Sequence, residues 1–227
     1  MALMGQAALA MWWDIAPAMR SEFEDWHSHE HFHERLGIPG FRRASRWASA
    51  DGGDDFFVMY ELEDHGVLAS APYAARLNAP TPWSVRMMPH HRHMIRSQCR
   101  VLESIGAVTS SHALTVRLSA QAGQDEPLRH ALAQLGRSAW MRPGLVGLHV
   151  LRHQTPPLAT TAEQKIRGDA DRVADWVVVA SGYDAEALRA LGEGELSEAE
   201  LKALGAAPDT ERHLYRLACS ATPADVR

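Results

Sequence analysis

Leu36-Gly37-Ile38-Pro39-Gly40-Phe41-Arg42-Arg43 joins the end of one element to the start of another. Its glycines and proline stop a helix, and Phe41 to Ala48 continues as a strand. On the N-terminal side, the polar stretch from about Met19 to Leu36 is helix-compatible. Before it, the apolar run Gln6 to Ile15, with Trp12 and Trp13 adjacent, reads as a strand that Pro17 ends. On the C-terminal side, Asp51-Gly52-Gly53-Asp54-Asp55 turns the chain and Phe56 to Leu62 is a strand. Asp64 to Leu77 reads as a helix that Pro72 shifts or bends, Asn78 to Trp83 as irregular, and Met94 to Ile105 as a closing strand. The order is βαββαβ.

The same order recurs around Pro143-Gly144. Ala113 to Leu118 reads as a strand, Glu126 to Met141 as a helix and Leu145 to Arg152 as a strand. A polar insertion runs from about Gln154 to Asp171. Trp176 to Ala180 follows as a strand, Asp184 to Leu204 as a helix and Arg212 to Ser220 as a last strand. The interval from first strand to Pro-Gly is nearly equal in the two parts, which points to duplication. The sequence therefore predicts an α+β protein of two ferredoxin-like halves, residues 1–108 and 109–227. Antiparallel sheets covered by helices on one face leave the other bare. Packing the bare faces together gives a β-barrel with helices outside and a cavity between the sheets.

A chain of 227 residues with 46% apolar and 22% charged residues has ample material for a core. A formal charge of −5 supplies no global basic field, which argues against nucleic acid or anionic membrane as partner. Met1 to Trp13 is apolar but lacks the basic start and cleavage site of a signal peptide, and no stretch is long enough to cross a bilayer. Cys99 and Cys219 are the only cysteines, outside any zinc-type or disulfide spacing, so a reducing cytoplasm is the expected location.

Chemistry concentrates in Glu22-Phe23-Glu24-Asp25-Trp26-His27-Ser28-His29-Glu30-His31-Phe32-His33-Glu34-Arg35-Leu36, which holds four of the 13 histidines at alternate positions. On a helix these form two vertical pairs, His27 with His31 and His29 with His33. Either pair could ligate a divalent metal with a third ligand from elsewhere, although a histidine pair is more often ordinary surface. Helical periodicity from Trp26 through His29, His33 and Leu36 predicts that His29 and His33 face inward. An imidazole in a partly dry wall has a lowered pKa and can serve as a base near neutral pH.

The pattern Glu22-Phe23, Trp26, Glu30-His31, Arg35-Leu36 and Pro39-Gly40-Phe41, followed by an arginine-rich strand, resembles the first half of EthD-like members of the dimeric α+β barrel superfamily. The resemblance covers about the first hundred residues. It implies the same barrel as the duplication, and its Glu-His pair maps onto Glu30 and His31, which many relatives place near the cleft. Relatives often carry proline where this chain has His33. The superfamily includes cofactor-free monooxygenases and cyclases as well as haem enzymes, so fold does not select the activity.

Elsewhere, His90-His91-Arg92-His93 is a second imidazole cluster, and strand alternation puts His91 and His93 on one face. Arg42, Arg43 and Arg46 suit an anionic ligand or surface ion pairs, and Trp47, Tyr60, Tyr73 and Trp83 suit a pocket wall or core. There is no GxGxxG, Walker, GxSxG or HExxH motif. The reading is a small-molecule-binding protein, an oxygenase, cyclase or isomerase if it is an enzyme. It would act without an organic cofactor on a hydrophobic, aromatic or polyketide-like compound. His31, His29 and His33 are the candidate catalytic residues; Trp26, Glu30, Arg46, Trp47, Tyr60 and Trp83 are the candidate ligand contacts, with no metal site assigned. The alternatives are a haem or divalent-metal enzyme and a non-catalytic binder or stress-response protein. Homo-oligomerisation through outer surfaces stays open.

Overall fold

The computed structural model describes residues 3–157, 159–168 and 172–226. Eight strands, β1 (Ala7–Ile15), β2 (Phe41–Ser49), β3 (Asp55–Leu62), β4 (His91–Gly106), β5 (His112–Leu118), β6 (Leu145–His153), β7 (Trp176–Gly182) and β8 (Glu211–Ala221), form one closed antiparallel barrel in the order β1-β3-β2-β8-β5-β7-β6-β4. Within the first four strands the order is β4-β1-β3-β2, and within the last four it is β8-β5-β7-β6. Counted by position these are the same ferredoxin-like arrangement. The seams are β2 with β8, from Ala44↔Ala221 to Ser49↔Tyr215, and β4 with β6, from Cys99↔His153 to Gly106↔Gly147. Both glycines of the recurring Pro-Gly, Gly40 (φ +94) and Gly144 (φ +90), occupy the left-handed conformation that a residue without Cβ adopts freely.

Strand alternation decides what fills the barrel. Ala8, Ala10 and Trp12 of β1 point inward with Trp47, Phe57, Met59, Val177, Val179 and Tyr215. Phe57 is stacked between Trp12 and Trp47, its ring centroid 5.0 Å from each. Three aromatic rings thus occupy the middle of the space between the sheets where a cavity was expected. Leu9, Met11, Trp13, Val58 and Tyr60 point outward, under the helices of the first half.

Those helices begin with α1 (Arg20–Trp26), a π-helical turn His27–His31 and α2 (Phe32–Leu36), in one continuous run. The expected helix Asp64–Leu77 divides at Ser70, whose hydroxyl accepts from Tyr73 N; a 3-10 turn His65–Ala69 precedes α3 (Ala71–Leu77), and Pro72 sits in its first turn, where no N–H is needed. The irregular stretch Asn78–Trp83 runs into α4 (Pro82–Met87), capped by Thr81. In the second part, α5 (Asp125–Ala139) lies tightly on its sheet, since a Cβ at Gly136 would stand 3.1 Å from Ile105 and 3.3 Å from Leu148. The polar insertion contains α6 (Ala162–Arg167), which a capping box at Thr161 and Gln164 starts; its residues 158 and 169–171 lie outside the described ones. Asp184–Leu204 becomes α7 (Ala185–Glu193) and α8 (Glu198–Ala203), the second capped by Ser197.

Candidate functional site

A cavity of about 130 Å³ lies between the outer face of the first half's sheet and its helices. The outward residues Leu9, Met11 and Trp13 of β1, Tyr60 of β3 and Met94, Arg96 and Gln98 of β4 make the floor. Trp26, His27, His31 and Arg35 form one wall; Tyr73, Leu77, Met88 and His91 form another. The volume is close to the roughly 150 Å³ of a protein cavity that takes up benzene. One ring fits.

The π-helical turn explains which histidines arrive there. The Phe32 N–H reaches back to His27 O, five residues away, so the turn holds one residue more than an α-helical turn. That extra residue rotates everything after it by about 100°. The buried stripe becomes Phe23, Trp26, His27, His31, Arg35 and Leu36, while His29 and His33 are turned out and exposed. The inward orientation expected for His29 and His33 is thereby corrected. His29 instead uses Nδ1 on Asp25 O at 3.0 Å.

His27, His31 and His91 share an aromatic surround with Trp13, Trp26 and Phe23. His31 is 4.5 Å from Trp26 and 5.3 Å from His27, and His91 is 5.1 Å from Trp13, between ring centroids. Burial holds all three imidazoles neutral, reinforced chiefly by the charge of Arg46 at His27, Arg35 at His31 and Arg167 at His91; His91 is lowered to about 4. His91 Nδ1 lies 3.1 Å from Met88 O. A carbonyl only accepts, so Nδ1 carries the proton and Nε2 keeps its lone pair. His93, expected on the same face, is exposed: its φ of +55 breaks the alternation, and its ring meets Asp14 Oδ2 at 2.7 Å.

Several buried polar atoms on this cavity have no hydrogen-bond partner among the described residues: Trp13 Nε1, His27 Nδ1, His31 Nδ1, which stands 3.7 Å from Glu34 Oε2, Arg35 Nη1 and the Tyr60 hydroxyl. Buried polar groups are otherwise almost always hydrogen-bonded. Burial raises the Tyr60 pKa far above its ordinary value, so that hydroxyl keeps its proton. Most of these atoms are donors, and together they ask for an oxygen-bearing ligand.

The cavity is closed by the insertion of the second half, from which Thr155, Pro156, Thr161, Glu163, Gln164 and Arg167 contribute. Arg35 Nη2 donates to both Glu163 oxygens, at 2.5 and 2.6 Å, with both side chains buried. Burial opposes the Arg35 charge and Glu163 more than restores it, raising its pKa above the usual arginine value. The strap is held at one end by His65 Nε2 on Gln154 O (2.9 Å), and at the start of α6 by Ala162 N on Asn78 Oδ1 (3.0 Å).

Of the candidate ligand contacts, Trp26 and Tyr60 line the cavity. Four do not. Trp47 belongs to the barrel interior. Arg46 turns to Glu24 O and Ser28 Oγ (3.2 and 3.1 Å). Glu30 accepts from Trp26 Nε1 (3.1 Å) and the Thr81 hydroxyl (2.6 Å), so it positions the indole from behind. Trp83 donates outside to Glu22 Oε1 (3.3 Å). Arg42 and Arg43 are held by Glu63 and Glu61. The sequence reading missed Arg96 and Glu163 altogether, and it ranked His27 and His91 below their neighbours.

Among the described residues no three His, Cys, Asp or Glu side chains converge as a metal-binding group. A porphyrin is at least drug-sized, and drug-sized ligands occupy roughly 300–1,000 Å³. The cavity does not fit one.

No family model matches the sequence. No curated protein matches it. Solved structures do. An anthrone oxidase-like protein superposes with a TM-score of 0.64 at 12% identity, covering 100% of this chain and 98% of that one. A protein provisionally assigned as a monooxygenase, from Fusobacterium nucleatum, gives 0.63 at 6% identity over 97% and 96%. One provisionally assigned as a chlorite dismutase gives 0.51 at 12% over 97% of each chain. At such identities the likeness is one of fold: the ferredoxin-like dimeric α+β barrel.

Proposed function

We propose that the chain is an enzyme that takes an oxygen-bearing, single-ring aromatic compound into the cavity of its first half and removes a proton from it without an organic cofactor. The observation that carries this reading is the set of partnerless donors, Trp13 Nε1, Arg35 Nη1 and the Tyr60 hydroxyl, beside three neutral imidazoles in a one-ring cavity. The ligand's O–H or activated C–H bond breaks, the proton passes to an imidazole nitrogen, and the electron pair stays on the ligand, spread over its ring. His91 suits this role because its Nε2 is unprotonated; His31 and His27 line the same cavity and feel its charge. A base held this low is unprotonated at neutral pH, and the anion it creates in a dry site strengthens its hold on the proton. Arg35 Nη1 and Tyr60 stand ready to donate to that anion.

The proposed chemistry is that of an oxygenase, with dioxygen as oxidant, or of an isomerase or cyclase. The neighbours named for anthrone oxidase and monooxygenase support the first. This reading treats residues 1–108 and 109–227 as fused EthD-like halves working in the cytoplasm, in keeping with two free thiols. One observation favours haem or metal instead: a ligating imidazole commonly donates its other N–H to a carbonyl, as His91 does to Met88. The cavity volume opposes haem.

The test is tryptophan-fluorescence titration with phenol and catechol, followed by oxygen-uptake and product analysis. Saturable quenching with turnover that His91→Ala abolishes is expected. Quenching without turnover makes the protein a passive binder, and no quenching overturns the reading. A visible absorption band in the purified protein would promote haem.

A further inference from the structure

Arg96 projects from β4 into the cavity floor between Met94 and Gln98, and is 8% exposed. Its Nη2 donates to the Tyr73 hydroxyl at 2.7 Å, and among the described residues it meets no carboxylate. Arg35, buried on the same cavity, is paired with Glu163, and Arg46, buried off the cavity, is taken up by Glu24 O and Ser28 Oγ. Glu163, the carboxylate that lines the cavity, has both oxygens on Arg35. The remaining titratable neighbours on the cavity among the described residues, His27, His31, His91, Tyr60 and Tyr73, carry no negative charge. A buried guanidinium left without a counter-charge is unfavourable, and its planar fork takes a carboxylate through two parallel hydrogen bonds.

We infer that the ligand is an aromatic acid, a single ring bearing one carboxylate that Arg96 receives and at least one oxygen substituent that the donors Trp13, Arg35 and Tyr60 receive. This rests on the single-ring reading above and narrows it. Leu9, Met11 and Leu77 supply the apolar contacts to the ring between the two polar ends. The Tyr73 hydroxyl holds the guanidinium in place from the α3 side, which makes Tyr73 a positioning residue.

The experiment is isothermal titration of the full chain at pH 7.5 with 2-, 3- and 4-hydroxybenzoate, their methyl esters and phenol. At least one acid is expected to bind about 10- to 100-fold more tightly than its ester and than phenol, the size of a charge-assisted hydrogen-bonded pair. Arg96→Gln should narrow the acid-over-ester preference to less than about threefold, and Arg96→Lys, which keeps the charge without the fork, should retain part of it. Should Arg96→Gln fail to fold, the acid-to-ester comparison in the unaltered protein decides alone. Esters or phenol binding as tightly as the acids would overturn the carboxylate inference and leave the single-ring reading standing. Absence of binding by every compound would overturn both.

Discussion

Arg35 and Glu163 stand 128 positions apart, yet one guanidinium nitrogen donates to both carboxylate oxygens with each side chain 4% exposed. Removing one partner of such a pair strands a buried charge. Glu163→Ala should therefore lower stability by about 3–5 kcal/mol, whereas the double change Arg35→Met with Glu163→Leu should recover most of the loss. Urea unfolding of both variants beside the unaltered protein checks this. A Glu163→Ala loss below about 1 kcal/mol would mean that the strap is not pinned as described.

Tyr60 is wholly buried and its hydroxyl has no hydrogen-bond partner among the described residues. Tyr60→Phe is expected to leave stability unchanged or raise it by about 1 kcal/mol, because an unsatisfied polar group is removed at nearly constant shape. The same change should weaken ligand binding about tenfold. Thermal melts and titrations on one preparation would show whether the two effects separate; a destabilised Tyr60→Phe would argue that the hydroxyl is satisfied within the fold.

Acid should unfold this protein early. Burial, with a smaller contribution from Arg43 and against the hydrogen bond to Ala107 O, lowers His149 to about 4. Unfolded histidine titrates near 6.5. Between these values the unfolded chain binds more protons, so stability rises with pH: it is complete above about pH 6.5 and is lost as pH falls toward 4. His149 alone accounts for roughly 3 kcal/mol. His27, His31 and His91 act in the same direction. The urea midpoint measured from pH 7.5 to 4.5 should decline throughout the lower part, and a flat profile would count against buried neutral imidazoles.

Gly40 and Gly144 occupy matching places in the two halves, each at positive φ, and a Cβ would meet Val67 Cγ2 at 2.4 Å in the first and Ala187 Cβ at 2.4 Å in the second. Gly40→Ala and Gly144→Ala should each destabilise by about 1–2 kcal/mol from backbone strain alone, with the contact adding to it. Denaturation midpoints test the pair; equal losses would support equivalent roles for the two turns.

Strand order was legible because apolar runs and Pro-Gly stops are local signals. Six of the residues proposed as site members from sequence alone, His29, His33, Glu30, Arg46, Trp47 and Trp83, nevertheless lie off the cavity. His29 and His33 were misplaced by the π-helical turn, since an ideal wheel counts no extra residue between Trp26 and Phe32. Trp47 looked like a pocket wall because alternation tells that a strand has two faces without telling which is the lumen. Arg96 and Glu163 stayed hidden for a different reason: each acquires meaning only from a partner far along the chain, Tyr73 for one and Arg35 for the other.

The floor of the cavity belongs to the first half and the strap above it to the second. In a pair of identical chains every substitution appears twice, so whatever loosens one outer face loosens its mate. A continuous chain is released from that symmetry. Gly136 can draw α5 down onto one sheet while His27 and His31 line an open space over the other, and neither choice is imposed on its counterpart. The two halves of one barrel thus differ in what their outer faces hold, a close-packed helix on one and a covered hollow on the other.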